Sequence, residues 1–225
     1  SDVVFIAVGT PQNFDGSSNL SFVYKVAHDI GKYINKHKII ITKSTIPVGT
    51  TFKVKEIITK EISNRNKNID FSICNNPEFL KEGKAVIDFM SPDRIIIGVE
   101  NNKKNNILKN LYKPFFINHE KLIFMDIVSS ELTKYAANSM LATKISFMNE
   151  MSNIAEKVGA DINKVRQGIG SDSRIGYSFI YPSVGYGGSC FPKDVRSIID
   201  ASKKLNYTPE ILTAVNKVNE EQKKY

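Results

Sequence analysis

Short β-branched runs alternate with helical stretches through the first half of this chain, and that alternation constrains the fold more than any other feature. Apolar runs at residues 3–8 and 38–42 are followed by stretches with apolar side chains at helical spacing, at residues 22–35 and 49–63. The alternation continues with strand patterns at 70–74, 94–99 and 122–125 and a helical pattern at 105–112. Strand, helix, strand at this spacing predicts an α/β fold with a doubly wound parallel sheet over residues 1–126.

The second half, residues 127–225, shows no strand pattern and predicts an all-helical domain. One helix is expected over residues 130–158, with Ser129 or Ser130 as its N-cap and Gly159 at its end. Further helices are expected at 162–168, at 193–205 and after Thr208–Pro209, which suit the N-cap and first helical positions.

Both ends of the chain look cut. It opens directly in a strand, with no earlier glycine-rich strand–helix unit, and it stops inside a helical pattern without a C-cap. We therefore expect an incomplete piece of a longer protein.

Composition narrows the class of protein. The net charge is +8, but the lysines are spread along the chain, so we expect no nucleic-acid partner; an anionic small molecule suits the charge equally well. Apolar runs are far shorter than the ~20 residues of a membrane span, so we expect no membrane association. Two cysteines are too few for a disulfide framework, and the start lacks a signal-peptide pattern, which together predict a cytoplasmic protein.

Three loops that follow predicted strands are candidates for ligand binding. They are Gly9-Thr10-Pro11, residues 44–49 and residues 76–83. Because βαβ units return strands in the same direction, these loops should gather at one edge of the sheet. Small hydroxyl side chains and backbone amides there could approach a dinucleotide, and Glu78 and Glu82 add carboxylates. The alternative is that Pro, Gly, Ser and Thr only make turns and cap helices.

Cys190 is the strongest local signal for chemistry. It lies in the run Gly-Tyr-Gly-Gly-Ser-Cys-Phe-Pro-Lys-Asp at 185–194. A thiolate is a better nucleophile than a thiol, and a cation such as Lys193 and a following helix N-terminus favour it. A buried structural cysteine is the alternative, and small and charged neighbours speak against it. Cys74, inside an apolar strand pattern, is the opposite case and is predicted to be structural.

Lys134 and Asn138 lie four residues apart and should leave the same face of the long helix. The lysine could stabilise an oxyanion and the asparagine could orient a water, although a solvated surface pair is the alternative. Arg174 could pair with substrate phosphates or form a salt bridge at a helix end.

We predict no metal site. His28, His37 and His119 have no ligand-like spacing, and the acidic residues do not cluster.

Six stretches, in order and spanning nearly the whole chain, carry a resemblance to a known family. They are residues 8–11, 44–48, 76–83, 131–138, 173–176 and 185–194. On these residues the chain closely resembles the UDP-glucose 6-dehydrogenase family, within the wider nucleotide-sugar dehydrogenases. The resemblance makes residues 1–126 the C-terminal part of a Rossmann-like NAD-binding domain and residues 127–225 a helical central domain that forms dimers.

The resemblance implies a four-electron oxidation of UDP-glucose to UDP-glucuronate with two NAD. Cys190 traps the intermediate aldehyde as a thiohemiacetal, whose oxidation gives a thioester that water hydrolyses. Lys134 is then implied to stabilise oxyanions, with Asn138 and Thr45 holding the water. Either Asp194 or Glu78 serves as general base, and the sequence does not divide that role.

The family pattern also implies two sets of binding residues. The cofactor set is Val8, Gly9, Thr10, Pro11, Ser44, Thr45, Glu82 and Lys193. The substrate set is Glu78, Phe79, Leu80, Glu82, Lys134, Asn138, Arg174, Phe179, Ser183 and Gly187. Arg174 reaches the substrate of the neighbouring subunit in this family, which implies a homodimer.

The chain also departs from the family. The family begins with a glycine-rich unit that holds the ADP half of NAD and ends with an α/β domain that holds UDP; neither is found in this sequence. We expect the chain by itself to bind NAD poorly and to turn over little or not at all.

Three other functions stay open on the sequence. The first is a sister dehydrogenase acting on GDP-mannose or a UDP-N-acetylhexosamine. The second is a non-catalytic dimerisation or binding module, and the third is a one-step hydroxy-acid dehydrogenase, which needs no thiol.

Overall fold

The computed structural model describes residues 1–100, 105–115 and 121–225, and these residues pack as two units. The first unit comprises Ser1–Pro11 and Ser18–Lys134. The second comprises Gln12–Ser17 and Tyr135–Tyr225. The domain boundary expected after residue 126 stays a prediction.

The described part of the first unit contains a five-stranded sheet whose strand order follows the chain. The strands are β1 (Val3–Ile6), β2 (Ile39–Thr42), β3 (Ser72–Asn75), β4 (Ile95–Val99) and β5 (Leu122–Met125). The helices between them are α1 (Ser21–Tyr33), α2 (Thr50–Asn64), α3 (Ala85–Met90) and α4 (Asn105–Tyr112), with a short 3-10 turn at Lys113–Phe115. Strands alternating with helices confirm the Rossmann-like α/β prediction for this half.

Helices cover both faces of the sheet. Ile40 and Ile73 point into a core that contains Val23 of α1 and Ile58 of α2. On the opposite face, residues including Ile39, Ile41, Cys74 and Ile97 pack with Leu108 and Tyr112 of α4. All four residues of β2 are buried, as expected for a strand covered on both sides.

The prediction of an all-parallel sheet is wrong at one strand pair. Strands β1, β2 and β3 are parallel and β4 is parallel to β5, but β3 and β4 are antiparallel. The connection from β3 to β4 holds only α3, a six-residue helix without a buried residue, which the sequence analysis did not predict. A parallel β4 would need a crossover helix packed on the sheet to bring the chain back to the edge at which β3 starts. Because the described residues between β3 and β4 hold no such helix, β4 begins at the edge at which β3 ends and runs in the opposite direction.

The long helix α5 runs over Ile127–Val158 and begins three residues earlier than predicted. The Oδ1 atom of Asp126 accepts a hydrogen bond of 2.8 Å from the backbone N–H of Ser129. Asp126 therefore caps this helix, and the assignment of Ser129 or Ser130 as N-cap was wrong. Gly159 ends the helix as expected, with a left-handed φ of +75°.

In the second unit the described residues that follow α5 contain helices and loops only. The helices are α6 (Ile162–Gly170), α7 (Phe191–Lys204) and α8 (Glu210–Gln222). Helix α7 begins at Phe191 rather than Lys193, because Pro192 suits the first turn of a helix. Pro209, not Thr208, occupies the N-cap position of α8. The helical prediction for this half is confirmed.

Within the described ranges, no helix combines the length and apolarity that crossing a membrane requires.

Candidate active site

The three loops predicted to gather at one sheet edge follow three parallel strands, so they do lie at the same edge. The loops after β1 and β2 are joined by side chains. The hydroxyl of Ser44 donates to the carbonyl of Val8 at 2.6 Å and accepts from its N–H at 2.9 Å. The hydroxyl of Thr10 donates to the carbonyl of Thr45 at 2.9 Å. These contacts fix the two loops side by side.

This pair of loops leaves part of its backbone open. Gly9 and Pro11 are exposed, and a Cβ added at Gly9 would meet no atom within 4 Å. An extended ligand can therefore approach the backbone of this loop. The buried hydroxyls of Ser44 and Thr10 are engaged with backbone groups of the neighbouring loop, so they shape the loops.

Glu78 and Lys134 form a partly buried ion pair in the first unit. The Lys134 Nζ atom donates to Glu78 Oε1 at 3.0 Å, while Glu78 Oε2 accepts the backbone N–H of Leu80 at 2.7 Å. Burial alone would raise the pKa of Glu78, but the Lys134 ammonium and the Leu80 amide hold that pKa below its usual value. Lys134 also lies over the ring of Phe79, 5.4 Å from its centroid. The pair places an ionised carboxylate beside an ammonium.

A second lysine, which no motif or spacing in the sequence singled out, lies beside this pair. Lys43 directly follows β2, and its Nζ atom donates to Oδ1 of Asn76 at 3.1 Å. Burial lowers the pKa of Lys43 to about 8, and the Lys134 ammonium acts in the same direction while Glu78 opposes it. The Tyr112 hydroxyl also donates to Asn76. The amino groups of Lys43 and Lys134 and the carboxylate of Glu78 therefore lie together at this sheet edge.

A buried carboxylate joins the predicted loop after β2 to helix α5. Glu131 accepts the backbone N–H of Gly49 at 2.6 Å and that of Thr51 at 2.8 Å, which are donors at the start of α2. Its neighbour Ser130 donates to Oδ1 of Asn75, at the end of β3, at 2.7 Å. Glu131 thus caps α2 from the helix that also carries Lys134.

In the second unit, Cys190 occupies the N-cap position of α7 and is only partly buried. Its carbonyl accepts the first helical hydrogen bond, from the N–H of Asp194 at 2.8 Å. The Ser189 hydroxyl lies 3.6 Å from the sulfur. The thiol is therefore accessible and stands at the N-terminus of a helix.

A buried carboxylate organises the first turn of α7. Asp194 is fully buried; its Oδ2 accepts the side-chain amide of Asn138 at 2.6 Å and its Oδ1 accepts the Lys193 ammonium at 2.5 Å. The structure thus brings together three predicted site residues, Asn138, Lys193 and Asp194, at the first turn of the helix that begins after Cys190. Lys193 was expected to stand beside the thiol, and its ammonium is paired with Asp194 instead.

Lys134 and Asn138 are not a solvated surface pair. They are 4% and 7% exposed, and each has a charged partner within its own unit. The alternative that they merely face solvent is therefore wrong.

The loop between α6 and α7 carries the remaining predicted substrate residues. Phe179 has a left-handed φ of +63°, and its ring packs edge-on against Phe191, with 6.3 Å between centroids. Such a backbone strain in a non-glycine residue marks a tightly determined position. Ser183 and Gly187 are exposed.

Arg174 makes a local ion pair. Its guanidinium binds both carboxylate oxygens of Asp172, two residues earlier, and its side chain is 87% exposed. This is the salt bridge near a helix end that the sequence left as an alternative, and the substrate role of Arg174 stays a prediction.

Glu82 is exposed, on the loop that carries Glu78.

Cys74 is structural, as predicted. It is 1% exposed in the central strand β3, and burial raises the pKa of its thiol to about 12.

Among the residues that the structure describes, no group of three or more His, Cys, Asp or Glu side chains is arranged to hold a metal ion. His119 lies outside the described residues, so the absence of a metal stays a prediction.

Two family models match the chain. Residues 1–116 match the NAD binding domain of the UDP-glucose/GDP-mannose dehydrogenase family, and residues 128–221 match the central domain of that family. A UDP-glucose 6-dehydrogenase of Pseudomonas aeruginosa is 50% identical over 223 residues, which are 99% of this chain and 49% of that protein. The chain spans about half the length of the curated relatives that it matches.

Solved structures agree with these matches. A UDP-glucose dehydrogenase from the hyperthermophilic archaeon Pyrobaculum islandicum aligns with a TM-score of 0.90 and 38% identity, over 98% of this chain and 50% of that chain. A GDP-mannose dehydrogenase from Pseudomonas aeruginosa, solved as a ternary complex, aligns with a TM-score of 0.71 and 30% identity, over 99% and 51% of the respective chains.

Proposed function

Because the chain belongs to the UDP-glucose/GDP-mannose dehydrogenase family, we propose that it supplies the reactive thiol of an enzyme that oxidises UDP-glucose to UDP-glucuronate with two NAD. The observation that carries this proposal is the position of Cys190, accessible at the start of α7 beside the buried Asn138–Asp194–Lys193 cluster. UDP-glucose is the favoured substrate because relatives named for it are up to 50% identical, against 30% for the GDP-mannose enzyme.

The proposed reaction oxidises one carbon twice. The C6 alcohol loses a hydride and a proton to become an aldehyde, and the Cys190 thiolate adds to the aldehyde carbon to form a C–S bond. Loss of a second hydride, together with the hydroxyl proton, turns this thiohemiacetal into a thioester. Water then breaks the C–S bond, which releases the carboxylate and regenerates the thiol. NAD, when bound, accepts the hydride in each oxidation.

The other catalytic residues receive individual roles in this proposal. Lys134 stabilises the oxyanions that develop on the substrate, since a preorganised ammonium is effective where charge forms. Asn138 and Thr45 orient the hydrolytic water. Asp194 is fully buried and both its oxygens are occupied, which favours a role in holding Asn138 and Lys193.

Glu78 is the better candidate for the general base. Its side chain is 25% exposed, so a substrate can reach its carboxylate, whereas Asp194 is fully buried.

The binding residues follow the family pattern and the geometry of each loop. We assign to NAD the two loops that Ser44 and Thr10 fix side by side, and two charged residues from elsewhere in the chain. These cofactor residues are Val8, Gly9, Thr10, Pro11, Ser44, Thr45, Glu82 and Lys193. We assign to the nucleotide sugar Glu78, Phe79, Leu80, Glu82, Lys134, Asn138, Arg174, Phe179, Ser183 and Gly187.

A homodimer formed through residues 127–225 and a cytoplasmic location complete the proposal. The exposed guanidinium of Arg174 is available to a neighbouring subunit once it exchanges Asp172 for a substrate. Cys190 must stay a free thiol for this chemistry, and the cytoplasm keeps thiols reduced.

The stoichiometry of NADH tests the proposal. With the full-length protein, we expect two NADH per UDP-glucose consumed. Cys190→Ala should reduce the rate by roughly 10³-fold or more, the scale expected when a covalent nucleophile is lost. Cys74→Ala is the matched control, because it removes the other thiol of this chain and should leave the ratio at two.

Other outcomes point to the alternatives. One NADH per substrate together with an active Cys190→Ala variant would overturn the thioester route in favour of a one-step dehydrogenase. No NADH from UDP-glucose, with turnover of GDP-mannose or a UDP-N-acetylhexosamine, would identify a sister enzyme. Retained function after complete alkylation of Cys190 would support a non-catalytic module.

A further inference from the structure

The loop that leads to Cys190 is held by side chains of two helices. In α5, Oδ1 of Asn149 accepts the backbone N–H of Ser183 at 2.7 Å. In α8, Oδ1 of Asn219 accepts the N–H of Tyr186 at 2.7 Å, and Nδ2 of Asn219 donates to the carbonyl of Tyr186 at 3.1 Å. One amide side chain therefore satisfies both backbone groups of a single loop residue.

This paired contact is specific to an amide. Asn219 is fully buried, so water does not replace a lost partner. An amide presents a donor and an acceptor side by side on one planar group, whereas an ionised Asp at this position could not donate to the Tyr186 carbonyl. Gly185 is part of the fit, because a Cβ there would lie 2.8 Å from Oδ1 of Asn219 and its φ is +106°. Asn219 and Gly185 thus match in shape as well as in polarity.

The contact is transmitted towards the thiol through two aromatic rings. Tyr186 is buried, and its ring packs edge-on against that of Phe191 with 6.1 Å between centroids. Phe191 is the first residue of α7 and follows Cys190 directly. A shift of Tyr186 therefore displaces the residue to which Cys190 is covalently joined.

We propose that Asn219 is a positioning residue for Cys190: its amide fixes Tyr186 and, through Phe191, the place of the thiol at the start of α7. The proposal rests on the proposed function, in which Cys190 is the nucleophile. The first oxidation, from alcohol to aldehyde, needs no thiol, and the second does. Loss of the Asn219 contact should therefore impair the second oxidation more than the binding of UDP-glucose.

The test uses Asn219→Asp in the full-length protein. We expect kcat to fall by about tenfold or more, because a small displacement of a reacting group is enough for such a loss. KM for UDP-glucose should change less than about twofold, and NADH per UDP-glucose should drop below two. Asn216→Ala is the matched control, since Asn216 lies on the same helix and is only partly buried. It should behave as the unchanged protein.

A second readout does not depend on the enzymatic activity. The rate at which iodoacetamide alkylates Cys190, followed by mass spectrometry of its peptide, should change by about threefold or more in Asn219→Asp, because a displaced thiol has a different exposure, and stay unchanged in Asn216→Ala. Equal alkylation rates, with kcat and the NADH ratio intact, would overturn the proposal. If Asn219→Asp fails to fold, Asn219→Ser, which removes the paired amide contact with Tyr186 but keeps a small polar side chain, decides by the same criteria.

The two proposals fail in different ways. An active Cys190→Ala variant with one NADH per substrate overturns the proposed function, while the alkylation rates still decide whether Asn219 positions the thiol. Two NADH per substrate with unaltered alkylation in Asn219→Asp overturns only the role of Asn219.

Discussion

Lys134 is buried, and a buried ammonium is tolerated only with a compensating partner. Glu78 supplies the charge at 3.0 Å, and the ring of Phe79 supplies an aromatic face. Helical spacing predicted that the side chain of Lys134 projects from the first turns of the long helix. No residue near Lys134 in the sequence identified its partner Glu78, which lies 56 positions earlier. The role of a charged residue depends on such contacts, and a single sequence does not state them.

Lys43 gives the residue-scale prediction. We expect its amine to titrate near pH 8, well below ordinary lysines, because burial disfavours its charged form. In Glu78→Gln the midpoint should move lower still, since the carboxylate that favours the ammonium is gone while burial and Lys134 remain. NMR titration of ¹³C-labelled lysine side chains measures both midpoints. A Lys43 midpoint above pH 10 would contradict the burial of its amine.

Helix α2 begins against a side chain of another element. Its first N–H donors are satisfied by Glu131 of α5, and burial raises the pKa of that carboxyl although the bonds from Thr51 and Gly49 act in the opposite direction. Thr42 and Asn75, also buried, continue the polar network at the ends of β2 and β3. This network keeps the loop with Thr45 and the helix with Lys134 in register.

The element-scale prediction concerns this cap. Glu131→Ala should lower the free energy of unfolding by about 2–3 kcal/mol, because the buried N–H of Thr51 and the N–H of Gly49 both lose their acceptor. Glu131→Gln keeps one acceptor oxygen and should lose less. Urea denaturation followed by circular dichroism measures both. Glu150→Ala, an exposed glutamate on the same helix, should stay within about 0.5 kcal/mol of the unchanged protein, and an equal loss there would refute the cap.

The periodicity of apolar residues predicted most of the helices and strands, but not the direction of every strand. The strands and helices flanking β2 follow the expected order because their burial pattern is local. The antiparallel return into β4 was missed, since residues 76–94 are long enough for a crossover and only their packing shows that α3 lies on no buried face. Apolar residues of α3 such as Val86, Ile87 and Met90 remain exposed, whereas the apolar residues of a helix packed on a sheet would be buried.

The whole molecule shows which part of the site a sequence can predict. Motifs and spacing single out Cys190, Glu78 and Lys134 as candidates, and their roles stay predictions. Glu131 and Asn219 were missed, although each had a signal: Glu131 lies in a matched motif, and Asn219 is an amide next to the apolar face formed by Val215 and Val218. Their partners lie 82 and 33 positions away, and only folding brings them together.

The two thiols give a prediction at the scale of the whole fold. Cys190 is accessible, whereas Cys74 lies in the central strand of the sheet and is reached only when that sheet opens. We expect iodoacetamide to alkylate Cys190 at least about 10³-fold faster than Cys74 in native protein, and both to react in strong denaturant. Mass spectrometry of the two peptides over time measures the ratio. In Cys190→Ser, Cys74 should stay protected, because its protection depends on the sheet and not on Cys190. If Cys74 and Cys190 reacted at similar rates in native protein, β3 could not be a buried central strand.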